Sequence, residues 1–277
     1  MQNIRAALIL TLFFSFTIPL MPVQFLLLRL SARAARRFPH WYHRQVCRLL
    51  NIRLHVDGTL AQDNPVLIVA NHVSWLDIPV LSALAPISFV AKKEVGTWPF
   101  IRWLAQLQRT VFVDRKRRGS VGGTADEITR RLRGGDIMVL FAEGTSSDGT
   151  HVLPFQSSLF AAIKPGKGQP RSTPDTPVEN TDEGIFVQTL AIAYTHIHGL
   201  PLSSRERPAV AWYGDMEMAG HAWQILKRGP IDVHIRLRAP AEMCDFADRK
   251  ALSRQCETWV RADLAHLLSN ARPPLKF

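Results

Sequence analysis

Apolar residues gather into short, nearly unbroken runs at Val66–Ala70, Ile87–Ala91, Thr110–Val113, Ile137–Phe141, Val187–Tyr194, Ala209–Tyr213 and Val233–Leu237. Runs of this length without polar alternation read as strands covered on both faces, the pattern of a sheet held between helical layers. Between them, Trp98–Gln108 and Thr124–Arg133 carry apolar positions at helical spacing, and Gly134-Gly135 closes the second. A final helix is predicted over Asp245–Ser269. Strands alternating with helices predict an α/β fold, one domain with a mostly buried mixed sheet flanked by helices.

The N-terminal pattern is different. From Ala6 to Leu28 no charged residue occurs and Leu, Phe and Ile dominate, about the length that covers a hydrocarbon core. Pro19, Pro22 and Gln24 interrupt it, which predicts a kinked span or a half-inserted segment with Phe13, Phe14 and Phe16 among the acyl chains. Arg29, Arg33, Arg36, Arg37, Arg44 and Arg48 follow, against Arg5 alone before it. The positive-inside bias then keeps the folded part on the cytoplasmic face of the inner membrane, with these arginines at lipid headgroups. A cleaved signal peptide is the competing reading, since Ala32-Arg-Ala34 resembles a cleavage site, but an arginine-crowded flank impedes translocation. The expected organisation is a hydrophobic membrane anchor with a basic flank over 1–48 and the catalytic domain over 49–277. Within the latter, 164–184 is a polar, Pro- and Gly-rich excursion.

Composition narrows the classes. A chain of 277 residues can bury one substantial core. The balance of 34 Lys+Arg against 23 Asp+Glu leaves +11, which attracts polyanions. No helix-turn-helix, RNA-binding signature or zinc finger is evident and the arginines follow an apolar anchor, so the expected polyanion is a bilayer surface and not nucleic acid. Cys47, Cys244 and Cys256 have no metal-like spacing, and His196 and His198 alternate along a strand without an H-E-x-x-H. Neither a disulfide framework, a metal nor another cofactor is expected.

Candidate chemistry lies where strands end. Asn71-His72-Val-Ser-Trp-Leu-Asp77 follows the run Val66–Ala70, and a histidine backed by a carboxylate is a general base. Five residues on a helix rotate a side chain by about 140°, so His72 and Asp77 can meet only across a strand-to-helix turn. Ser74-x-x-Asp77 also fits a capping box, with Pro79 in a first helical turn. A second polar cluster, Ala142-Glu143-Gly144-Thr145-Ser146-Ser147, follows Ile137–Phe141, at the kind of strand end where open α/β sheets bind ligands. A Gly turn with capping hydroxyls is its bland reading. The G-x-S-x-G elbow of a serine lipid hydrolase is absent.

In these blocks the chain resembles the lysophospholipid acyltransferase family, the 1-acylglycerol-3-phosphate acyltransferases and their relatives. The family's His-x4-Asp block matches Asn71–Asp77, and its second block matches Thr110-Val-Phe-Val-Asp-Arg115. Its Glu-Gly-Thr matches Glu143-Gly144-Thr145, and a loosely defined apolar strand falls in Leu190–Tyr194. The resemblance covers roughly residues 50–215 and implies a glycerolipid-acyltransferase-like domain. By it, His72 takes the proton from a lysolipid hydroxyl as that hydroxyl attacks an acyl thioester, and Asp77 orients the imidazole. Arg115, Glu143, Gly144, Thr145 and Ser146 would hold the acceptor headgroup, assisted by Lys92, Lys93, Arg117 and Arg118. The partners implied are a lysolipid acceptor, an acyl carrier protein or CoA thioester as acyl donor, and the membrane.

Two positions depart from the family's pattern. Ala142 and Ser146 stand where many relatives have Pro and Arg, which removes a bidentate phosphate donor. Arg109 stands where the family often has Gly and offers a cation by another route. A branch of the family acylates lyso-ornithine lipid, whose headgroup is a zwitterionic amino acid. Ser146 suits that acceptor, and Ala211–Met216 with Gly229–Val233 resembles that branch. Lysophosphatidic acid stays beside it as an acceptor. The expected geometry puts His72 and Asp77 on one cleft with Glu143-Gly144-Thr145, open toward the N-terminal anchor.

Overall fold

Strand β2 (Val66–Ala70) is buried at every position, as an unbroken apolar run requires: alternate side chains need a layer on each side. In the computed structural model, which describes residues 1–61, 65–98, 100–113, 120–162 and 184–270, β2 lies near the middle of a nine-stranded mixed sheet. Parallel to it run β5 (Ile137–Phe141) on one side and β6 (Phe186–Ile197) on the other, with β3 (Ile87–Lys92) and β4 (Val111–Val113) beyond β5. Beyond β6, β8 (Ile231–Leu237) runs antiparallel, and β1 (Ile52–Asp57) forms the edge parallel to β8. Two short strands, β7 (Leu200–Pro201) and β9 (Ala241–Glu242), pair with the two ends of β6.

The two faces of β2 feed two cores. Val66, Ile68 and Ala70 pack with α1 (Gln2–Leu30), α2 (Ala32–Leu50), α3 (Asp77–Leu84) and α6 (Met218–Lys227) through Ile9, Val46, Leu81 and Ile225. Leu67 and Val69 pack with α5 (Ser120–Arg133) and α7 (Arg249–Asn270) through Ile128, Leu132, Cys256 and Val260. The short helix α4 (Ile101–Leu107) sits beside α1.

The N-terminal helices form a hairpin. The Ser31 hydroxyl accepts from Ala34 N–H and starts α2, and Asn51, in the left-handed region at φ 57°, ends it. The domain holds α1 along its length: Arg5 Nη1 donates to Leu226 O at 2.6 Å, Thr17 and Tyr42 share a hydroxyl bond of 2.7 Å, and Gln24 Nε2 donates to Leu107 O at 2.9 Å. Its other face leaves Ile4, Leu8, Leu12, Ile18, Phe25 and Leu26 exposed. By length and composition the helix could cross a bilayer.

Several elements differ from the sequence reading. Ala209–Tyr213 is not a strand: a short 3-10 turn covers Arg207–Ala209, and Val210 and Ala211 are apolar because they lie buried beneath the turn that follows β2. The edge strand β1 escaped the reading because Arg53, His55 and Asp57 leave no apolar run. Helix α6 also escaped it, and Glu217 caps it by accepting from Ala219 and Gly220 N–H. The last helix starts four residues late, where Asp248 accepts from Lys250 and Ala251 N–H. The excursion expected at 164–184 lies outside the described residues, apart from its last residue.

Candidate active site

The site begins where β2 ends. Asn71 continues the ladder with its side chain, donating from Nδ2 to Ile192 O (3.0 Å) and accepting Ile192 N–H at Oδ1 (2.9 Å). Backbone pairing to β6 is thereby replaced, and the main chain is free to turn away. It turns through residues 72–76 into α3.

Within that turn His72 Nδ1 lies 2.7 Å from Asp77 Oδ2. The same oxygen accepts Val73 N–H (2.8 Å) and Ser74 N–H (3.1 Å), and Oδ1 accepts the Tyr194 hydroxyl at 2.7 Å. Asp77 is wholly inaccessible, and its carboxylate offers only acceptors to four donors. In the neutral ring this environment places the proton on Nδ1 and leaves the Nε2 lone pair free. Among the described residues Nε2 has no hydrogen-bond partner, and the His72 side chain retains 19% exposure. The ring stacks on Phe141 at 4.1 Å between centroids. Only half of the capping box forms: Asp77 accepts the Ser74 N–H, but the Ser74 hydroxyl is buried without a partner.

Parallel register sets Phe141 beside Ala70, so the turn after β5 lies against the turn after β2. Glu143 Oε1 accepts His72 N–H and Oε2 accepts Leu153 N–H, each at 2.7 Å. Burial pushes its pKa up to about 7, opposed by those two N–H donors and reinforced by Asp77. Where a headgroup contact was expected, the Glu143 carboxylate points inward, is 2% exposed and braces the turn that carries His72. Gly144 takes φ +72° at the bend, and Thr145 is exposed beside it. Ser146 Oγ donates to Trp212 O, Trp212 N–H donates to Val73 O (2.9 Å), and Ser147 N–H donates to His72 O (2.8 Å). Three segments distant in sequence are thus laced around one imidazole.

Other expected residues fall elsewhere. Arg115, Arg117 and Arg118 lie outside the described residues; Lys92 ends β3 and Lys93 follows it. Arg109 supplies no cation to the site. It makes a bidentate pair with Asp136 (3.0 and 2.7 Å) just before β5, at the end of the sheet away from His72, where Arg131 and Arg36 join it. Burial works to raise the Asp136 pKa, but its arginine partners hold it below the usual carboxylate value. The cluster ties α2 and α5 to the sheet, so Arg36 is committed to protein and not to headgroups. A cavity of about 400 Å³ lined by Asp57, Arg236, Arg238, Trp259 and Asp263 opens at the same end of the sheet but beside β1 and β8, with its charges already paired.

Sequence reasoning passed over Tyr194 as a member of the site. A signal existed: a lone phenol in a run of Leu, Ala and Ile must find an acceptor once buried.

Adjacent parallel strand ends, one carrying a histidine–carboxylate pair and the other a Glu-Gly-Thr brace, make up the site of this α/β fold, and the sequence has no G-x-S-x-G elbow beside them. Known proteins make the class specific. The Acyltransferase family model matches residues 51–179. Proteins named lyso-ornithine lipid O-acyltransferase are 43% identical in Brucella abortus, over 98% of both chains, and 39% identical in Rhizobium meliloti, over 96% of this chain and 87% of that one. A 1-acyl-sn-glycerol-3-phosphate acyltransferase of Neisseria meningitidis is 30% identical over 80% and 78% of the two chains. The crystal structure of the 1-acyl-sn-glycerophosphate (LPA) acyltransferase of Thermotoga maritima shares the fold, with a TM-score of 0.65 over 99% of each chain at 23% identity. The chain belongs to the acyltransferase family.

Proposed function

We propose that the protein moves a fatty acyl group from a thioester, carried by acyl carrier protein or CoA, to the free hydroxyl of a lysolipid in membrane-lipid biosynthesis. The observation that carries the reading is the 2.7 Å contact of His72 Nδ1 with a buried, four-donor Asp77, which leaves Nε2 open as a base. A lipid hydroxyl is far too weak an acid to ionise near neutrality, so attack needs a positioned acceptor for its proton. Nε2 takes that proton as the oxygen adds to the thioester carbonyl. The tetrahedral adduct then collapses with cleavage of the C–S bond, and the imidazolium returns the proton to the departing thiolate. Asp77 holds the tautomer and steadies the transient imidazolium.

Lyso-ornithine lipid is the proposed acceptor. Two relatives of that name match almost the whole chain, and Ser146 gives its hydroxyl to the Trp212 carbonyl where many relatives offer a phosphate-binding arginine. Lysophosphatidic acid is the competing acceptor, favoured by the Neisseria relative. Membranes carrying the protein, assayed side by side on the two lysolipids with a labelled acyl thioester, are expected to acylate lyso-ornithine lipid faster. The reverse preference would move the assignment to lysophosphatidic acid. His72→Ala should lower transfer at least about 1,000-fold with an unchanged circular dichroism spectrum; full activity would remove the base mechanism.

The protein is also proposed to sit in one leaflet of the inner membrane, on its cytoplasmic side. Arg5 and Gln24, separated by about 28 Å along a helix at 1.5 Å per residue, both bond to the same domain. A helix crossing a core about 30 Å thick would carry Arg5 to the far side. Lying along the domain, α1 instead presents Leu8, Leu12, Ile18 and Phe25 to acyl chains.

A further inference from the structure

We propose that Tyr194 is a positioning residue for acyl transfer: its hydroxyl, 2.7 Å from Asp77 Oδ1, sets how much of that carboxylate's charge reaches the His72 imidazole. The inference rests on the reading of His72 as the base. Asp77 holds two kinds of load on two oxygens. Oδ2 takes the imidazole and two backbone N–H groups, whereas Oδ1 takes Tyr194. Since Asp77 is wholly buried, bulk solvent does not reach that oxygen, and among the described residues the phenol is its hydrogen-bond partner.

The phenol belongs to a different element from the pair it serves. It projects from β6, 117 positions along the chain from Asp77, and is 3% exposed. Burial first, and then the neighbouring Asp77, push its pKa well above 10, so it stays a neutral donor across the working range. The other titratable groups facing the pair, among the described residues, are few. Glu143 meets it from the turn after β5, under the influence of Arg261 on α7. Cys47 faces it from α2, its thiol pushed by burial to about 12 and donated to Pro79 O. His221 on α6 accepts from the Trp75 indole in the same turn. None of these touches Oδ1.

A donor to an anion weakens the anion's pull on a proton. Without the Tyr194 hydroxyl, Asp77 and His72 together bind a proton more tightly, whichever partner takes it. The imidazole would then be charged over more of the neutral range and unable to act as base. With the hydroxyl present, Asp77 orients the ring without over-stabilising the imidazolium.

The test is the pH profile of kcat/KM for the full chain in membranes or detergent. Tyr194→Phe removes one oxygen and should move the acid limb up by about one pH unit, a tenfold change in proton affinity, with KM for the thioester within twofold. Replacing Tyr194 by 3-fluorotyrosine, a stronger donor of nearly the same shape, should move the same limb down. If Tyr194→Phe fails to fold, by circular dichroism and thermal melting, the fluorotyrosine protein decides alone. Limbs that coincide with that of the unmodified enzyme, whatever happens to kcat, overturn the proposal. An inactive His72→Ala together with unmoved limbs would remove the Tyr194 role and leave the base; an active His72→Ala would remove both.

Discussion

His72 and Asp77 stand five positions apart in sequence and 2.7 Å apart in space, and every contact around them serves to hold that geometry. Glu143 contributes from below the turn. Its ordinary pKa of 4.5 is raised to about 7 in the fold, chiefly by burial. Between those values the folded protein keeps a proton that the unfolded chain has released, so the folded state loses stability as pH rises from 4.5 to 7 and levels off above. For a carboxyl so nearly inaccessible the effect is on the order of 3 kcal/mol. Thermal melts across that window should show this fall, and Glu143→Gln should flatten it. An equally steep fall in the Gln variant would mean that other groups carry it. The residue-level lesson is that Glu143 was visible in the sequence as part of the site but not in its role, because a carboxylate's partners here are two backbone N–H groups that no motif records.

Among the elements, β2 and β5 were legible to the residue, and β6 nearly so, because burial on both faces leaves an unbroken apolar signature. The edge strand β1 and helix α6 were not: one face of each meets solvent, and their polar positions dilute the pattern. The end of β2 depends on Asn71, whose amide stands in for a backbone pair with Ile192. Asn71→Ala would leave a buried N–H and a buried C=O without partners and should cost about 2–4 kcal/mol, measured by denaturant or thermal unfolding. Because His72 is the next residue, transfer should fall by more than the lost stability explains. Near-native stability in this variant would show that water or a shift of β6 replaces the amide.

For the whole molecule, the question is how a domain with a +11 charge and an apolar helix meets its substrates. The helix that looked like a separable anchor is bonded to the domain near both ends. A phosphatase reporter fused ahead of Met1 should therefore stay inactive in cells, and a fluorescent protein at the same place should glow. An active phosphatase would mean that α1 crosses the bilayer. The arginines that looked alike in sequence also divide: Arg36 joins Arg109 and Arg131 on Asp136, while Arg33 and Arg37 remain exposed.

The sequence by itself determined the α/β architecture, the turn after β2 and the pairing of His72 with Asp77, since each depends on periodicity or on spacing within one turn. Only the tertiary structure decided that Tyr194 completes the carboxylate, that Glu143 faces inward, that Ser146 serves Trp212 and that Arg109 is spent at the far end of the sheet. Those outcomes rest on contacts between segments tens to more than a hundred residues apart, and the free energy of such a contact is set by burial and by competing partners, neither of which a local pattern contains.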